Sequence, residues 1–271
     1  MNRLSLAPPL ALSLVAAAAT AAHAQAVPPP PPPPSGDPVL SSSGYPLALV
    51  DRPLVLPSGM LEVDGHFWIP TNDGIDLFDV VTMTLAGRYS TGTVEPFAGL
   101  ELLLIQPDGG GGETLWRMFA GARAPVGPGA ARATVSRFSP TEGYSTLTFD
   151  GRFEYKQKLG ANLAVVAEGG AFLSLLSLDF GGMTDSGNAF GLVGRGTGQV
   201  QVAPTAAIQG GLELQIPISS SDNVTTDTVT VLVGEGLYAL DKLDIFARLE
   251  ISIAGDSDTT AFLVGVLARP L

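Results

Sequence analysis

From residue 146 to residue 156 the chain reads Thr-Leu-Thr-Phe-Asp-Gly-Arg-Phe-Glu-Tyr-Lys, and its apolar and polar positions alternate. Leu147, Phe149, Phe153 and Tyr155 fall on one side, with Gly151 among them. Thr148, Asp150, Arg152, Glu154 and Lys156 fall on the other. Successive side chains of a strand point to opposite faces, so the segment predicts a strand with one greasy face and one charged face. Two architectures use such a strand. A soluble sandwich turns the apolar face to its core, whereas a membrane barrel turns it to lipid and keeps the charges in a wet lumen.

The pattern repeats. Strand-like segments are expected at 61–69, 80–89, 97–105, 115–126, 131–138, 146–156, 163–175, 190–202, 208–218, 229–240, 243–254 and 260–268. In the next clearest, Leu243, Ile245, Ala247, Leu249, Ile251 and Ile253 oppose Asp244, Arg248, Glu250 and Ser252. These segments have the length that tilted membrane strands need. Compact turns at 90–93, 127–130, 158–161, 203–206 and 240–243 alternate with mostly longer, polar connections at 70–76, 106–113, 139–144, 179–188 and 219–226, with 255–258 as the short exception. Outer-membrane barrels carry short periplasmic turns and longer external loops. The expectation is an all-β, antiparallel, up-and-down transmembrane β-barrel of about twelve strands, with ten as the alternative count.

With the apolar faces on lipid, the lumen receives Glu62, Asp64, Glu101, Asp150, Glu154, Glu168, Glu213, Asp244 and Glu250. It also receives Arg88, Arg117, Arg123, Arg132, Arg152, Lys156, Arg195 and Arg248, and His66. Such groups cost little in water and much against lipid. Two roles are open to them: pairs that brace the wall, or the lining of a conduit for small polar solutes.

Composition narrows the classes. Charged residues are 15% of the chain, low against an average of about 25%. The net charge of −12 disfavours nucleic acid as a partner. There is no cysteine, which removes disulfides, thiolate metal sites and a cysteine nucleophile. Residues 1–24 read as a cleavable signal peptide, with Arg3, an apolar stretch and Ala22-His23-Ala24 before the cut. Residues 25–58 read as a proline-rich periplasmic spacer and lead-in, carrying an unbroken proline run at 28–34, and the barrel is expected from 59 to 271.

The lead-in Asp51-Arg52-Pro53-Leu54-Val55-Leu56-Pro57-Ser58-Gly59-Met60-Leu61-Glu62-Val63 resembles the start of outer-membrane β-barrel proteins of Gram-negative bacteria. That resemblance implies an outer-membrane location, a lipid surround and handling by the barrel-assembly machinery. Such barrels usually end on an aromatic residue, and this chain departs from the pattern with Ala268-Arg269-Pro270-Leu271.

For function, a passive channel or porin-like transporter leads. Behind it stand a structural barrel without transport, a secreted β-sandwich that binds a partner, and an outer-membrane hydrolase built on His66 beside Asp64 and Glu62. No cofactor or metal is expected. Gly109 to Gly112 lacks the lysine of a phosphate loop, and Asp256-Ser257-Asp258 lacks the further ligands of a calcium loop.

Overall fold

The computed structural model describes residues 38–71, 79–105, 113–139, 143–180, 183–221, 227–254 and 259–270. Among them run twelve strands: β1 (Leu61–Thr71), β2 (Val80–Tyr89), β3 (Glu95–Ile105), β4 (Glu113–Val126), β5 (Gly129–Phe138), β6 (Tyr144–Lys158), β7 (Leu163–Phe180), β8 (Met183–Ala203), β9 (Ala206–Ser220), β10 (Val229–Ala239), β11 (Leu243–Ala254) and β12 (Thr260–Ala268). Each pairs antiparallel with its sequence neighbours, and β1 pairs with β12 from Val63↔Ala268 to Thr71↔Thr260. The sheet therefore closes into a barrel without a free edge.

Alternation decides which face meets what. The outward side carries Phe67, Leu85, Leu100, Phe149, Phe153, Leu192, Ile208, Ile245 and Phe262, each 38–58% exposed. An apolar surface of that extent wrapped around a barrel matches hydrocarbon and would be untenable in water. The lipid-facing tyrosines Tyr89, Tyr155 and Tyr238 all stand at the end of the barrel that holds the short turns, the interfacial position an amphipathic ring prefers. The sandwich alternative is thereby corrected: one closed sheet leaves no second sheet to cover these faces. The count is twelve, so the ten-strand alternative falls as well.

Inside, four phenylalanines lie across glycines directly opposite them. Phe97 faces Gly121, Phe119 faces Gly99, Phe172 faces Gly191 and Phe246 faces Gly265. A Cβ built at Gly99 would fall 2.2 Å from the Phe119 Cζ. The glycines let the rings lie flat on the inner wall, a device that also permits the sheet to curve.

Two boundaries differ from the sequence expectation. The polar stretch 179–188 is expected as a loop, but β7 runs to Phe180 and β8 starts at Met183. Its Ser, Thr, Asp and Asn residues still pair, as in Ser177↔Ser186 and Leu175↔Asn188, so the polarity marks hairpin wall beyond the apolar band. The barrel unit also begins earlier than residue 59, at Pro38. The buried apolar residues of this earlier stretch, Tyr45, Leu47, Ala48, Val50 and Leu56, pack in the mouth of the barrel. The signal peptide, the proline run at 28–34, the Gly109 to Gly112 stretch and Asp256 to Asp258 lie outside the described residues.

Candidate functional site

Strand alternation brings Glu62, Asp64, His66, Arg88, Glu101, Arg117, Arg123, Arg132, Asp150, Arg152 and Arg248 to one interior cavity of about 810 Å³. Thr84, Thr134, Ser136, Thr148 and Ser174 add hydroxyls, and Phe97, Phe119 and Phe172 add ring faces. A second space of about 360 Å³ lies nearer the long-connection end, beside Trp68, Glu101, Arg117 and Phe138.

The charges are ordered. Starting at the lead-in, an unbroken series alternates in sign: Arg52, Asp244, Arg269, Glu62, Arg88, Glu95, Arg123, Glu154, Arg132, Glu168, Arg152, Asp150. Within it Arg269 Nε lies 3.1 Å from Glu62, Arg88 Nη2 lies 2.6 Å from Glu62, and Arg123 Nη2 lies 2.9 Å from Glu154. Arg132 and Arg152 both hold Glu168, at 2.8 and 2.7 Å. This belt follows the inner wall from β11 across the β12–β1 closure to β7. Desolvating so many charges is costly, and alternation answers it by giving almost every group two opposite neighbours.

The remaining candidates sit outside the belt. Arg248 bridges Glu235 at 2.7 Å and Glu250 at 3.4 Å, and the indole of Trp68 donates to Glu250 at 3.2 Å. Gln209 extends this chain by donating to Glu235 at 2.6 Å. Arg195 faces Glu213 at 3.2 Å, and Arg117 faces Glu101 at 2.7 Å. Lys156 turns to the lead-in, donating to the carbonyls of Leu49 and Arg52 at 2.6 and 3.0 Å.

That lead-in crosses the mouth formed by the short turns. Leu47 packs on Leu237, Ala239 and Phe246; Ala48 and Val50 pack on Ala164; Tyr45 clusters with Leu56 and Met60. Arg52 pairs with Asp244 and donates to the carbonyls of Pro46 and Leu47. Arg123 donates to the Leu54 carbonyl at 2.9 Å, and the Leu56 amide donates to Glu95 at 2.7 Å. Tyr45, 2% exposed, takes the guanidinium of Arg269 over its ring at 4.8 Å and that of Arg52 at 5.5 Å. Burial pushes its phenol above the ordinary value against the pull of the neighbouring arginines, so it stays a neutral ring. Within the stretch expected as a periplasmic spacer, Tyr45, Leu47, Ala48, Val50 and Leu56 are instead buried in the mouth of the barrel, while Val39 and Leu40 stay exposed.

His66 Nδ1 stands 3.1 Å from Asp64 and the ring packs edge-on to Phe246, 6.1 Å between centroids. The hydrogen bond described for His66 is the one to Asp64. No group of three or more His, Asp or Glu among the described residues is placed to hold a metal ion.

Sequence reasoning missed Glu95, Glu235, Arg269 and Arg52. Extending the alternation of Phe97, Gly99 and Glu101 back by one step reaches Glu95. The same step from Leu267 reaches Arg269, whose signal was hidden by Pro270. Glu235 is masked by its apolar inward neighbours Val233 and Leu237.

The fold is that of bacterial outer-membrane β-barrels. The chain is similar to the translocator domain of autotransporter NalP from Neisseria meningitidis, with 16% identity, a TM-score of 0.56, and 79% of this chain and 89% of that one covered. It is similar to an outer-membrane channel from Pseudomonas putida F1, with 16% identity, a TM-score of 0.57, and 79% and 97% covered. The NanC porin aligns at 7% identity with a TM-score of 0.51, covering 77% and 100%. No family model and no curated protein matches the sequence.

Proposed function

We propose that the protein is an outer-membrane channel for small polar solutes, exported by a signal peptide ending near Ala24 and inserted with its short turns on the periplasmic side. The observation that carries this reading is the cavity of about 810 Å³ inside a closed barrel, lined by charges of both signs and by hydroxyls. A lumen of that chemistry replaces part of a polar solute's hydration shell without favouring one sign. Outer-membrane lipid surrounds the barrel, and the barrel-assembly machinery inserts it. The similarity to a porin and to an outer-membrane channel supports the reading at the level of fold.

Conductance in a planar bilayer tests it, using protein shown to be folded by a gel band that migrates faster unboiled. Stepwise currents, with uptake of small sugars into liposomes, are the expected result. A folded barrel that carries no current and excludes sugars sinks the channel reading. It would leave the structural barrel, which the packed lead-in across the mouth favours.

A further inference from the structure

We propose that residues 38–56 form a displaceable plug that closes the short-turn mouth at rest and sets when the lumen conducts. This rests on the channel reading above.

The barrel is complete without the segment, because β1 pairs directly with β12 and the lead-in takes no place in that ladder. The segment nonetheless spans the mouth, touching β10 and β11 through Leu47, β7 through Val50, β6 through Lys156 and β3 through Leu56. Its attachments are of a particular kind. Each buried wall carboxylate that grips the lead-in has another partner on the wall itself, and Asp241, which holds Ser42 at the rim, is exposed to water. Asp244 holds Arg52 but also Arg269; Glu95 holds the Leu56 amide but also Arg88 and Arg123. Arg123, bound to the Leu54 carbonyl, also holds Glu154.

Withdrawal of the plug therefore strands no buried carboxylate. The belt remains paired from Asp244 to Asp150, and the carbonyls released by Arg123 and Lys156 are met by water. The wall cations Lys156 and Lys158, bound to the Leu49 and Arg52 carbonyls and to Asp51 of the segment, exchange those partners for water when it leaves. Gly59, at φ +81, stands between the segment and β1. That left-handed backbone is open to glycine at little cost and gives the joint about which the segment departs.

The chain has no cysteine, so a reversible latch can be installed cleanly. Ser42 Oγ donates to Asp241 at 2.7 Å at the rim of the mouth, which makes Ser42→Cys with Asp241→Cys the natural pair. In a planar bilayer, reduction of the linked full-length chain is expected to raise mean conductance at least about twofold, and reoxidation to lower it again. Currents that are present and unchanged through the cycle overturn the plug. A second measurement reads the segment without any current: labelling of a single Val50→Cys in the folded barrel by a membrane-impermeant maleimide. Labelling of the folded barrel supports displacement, and if no current accompanies it, the channel reading alone fails. Protection of that thiol until the barrel is unfolded overturns the proposal whatever the currents.

Discussion

The two ends of the lumen use the same residue types in opposite ways. At the short-turn end, arginines and carboxylates are dry: Asp244 is 0% exposed, and Glu95 and Arg269 are 1%. Toward the longer connections they are wet: the Arg117 side chain is 49% exposed and that of Glu213 is 40%. The first set is locked between opposite charges and roofed by the lead-in. The second set stands in pairs on an open wall. A charged inner face is thus no single functional signal. Burial separates the groups that hold the barrel's mouth from those free to meet a solute.

The largest expected effect of breaking this contrast comes from Asp244→Ala. It leaves Arg52 without its carboxylate and Arg269 with Glu62 alone, both arginines being buried. Uncompensated buried charge destabilises by about 3–5 kcal/mol. The temperature at which the unboiled gel band collapses to the unfolded position should fall sharply. An unchanged midpoint would mean that the belt braces nothing.

A smaller loss is expected at Gly121, on the inner wall between the two ends. A Cβ there falls 2.2 Å from the Ala133 carbonyl oxygen and 2.5 Å from the Phe97 ring. Backbone yields poorly, so Gly121→Ala should destabilise by about 1–3 kcal/mol. Gly151 faces outward with open space around it, and Gly151→Ala is the control, expected within about 0.5 kcal/mol of the parent. Urea midpoints of the two variants measured side by side check the difference.

Much of this architecture could be read from period alone. The alternation in β6 and β11 orients Asp150, Arg152, Asp244 and Arg248 inward, and the spacing of compact turns gives the strand order, because a two-residue period leaves one choice of face. What period cannot supply is depth. Nothing in the local sequence tells Glu154, buried against Arg123, from Arg117 in the open lumen, since depth depends on what covers the mouth. The lead-in does the covering, and its prolines and short length suggest a spacer. Its apolar residues Tyr45, Leu47, Val50 and Leu56 follow neither a helical nor a strand period, because they pack on an inner wall supplied by residues far away in the chain. Glu95 and Arg269 were lost for a simpler reason: they sit at strand ends, where boundaries are least legible.

At the wet end, Arg117→Ala should change transport and not stability. The pair with Glu101 is half open to solvent, so its removal should shift stability by no more than about 1 kcal/mol. Glu101 then faces the lumen without its arginine, and the reversal potential under a salt gradient should move toward cation selectivity. A large loss of stability with unaltered selectivity would place Arg117 with the bracing set and erase the contrast between the ends.

The smallest effect is expected at the rim, where Asp241 accepts hydrogen bonds from the Ser42 amide and hydroxyl. Those bonds hold its carboxyl below the ordinary carboxylate value. A depressed folded-state pKa means that the latch is fully made above the ordinary value and is lost as pH falls through the depressed one. Between neutrality and about pH 5 the rim should therefore be indifferent to pH, and loosening should begin only in more acid solution. Hydrogen exchange at the Ser42 amide, corrected for the intrinsic pH dependence of exchange, reads this directly, because that amide is the donor. Protection should decline in acid in the parent chain, whereas Asp241→Asn should remove most of the decline by replacing the titrating group with a neutral amide. The belt deeper in the mouth is dry and its carboxylates Asp244 and Glu95 each hold more than one partner, whereas the rim latch is exposed, so the rim should loosen before the lead-in leaves the wall. Simultaneous loss of protection at Ser42 and at the Leu56 amide would show instead that rim and belt release as one unit, and the distinction between an exposed latch and a buried anchor would collapse.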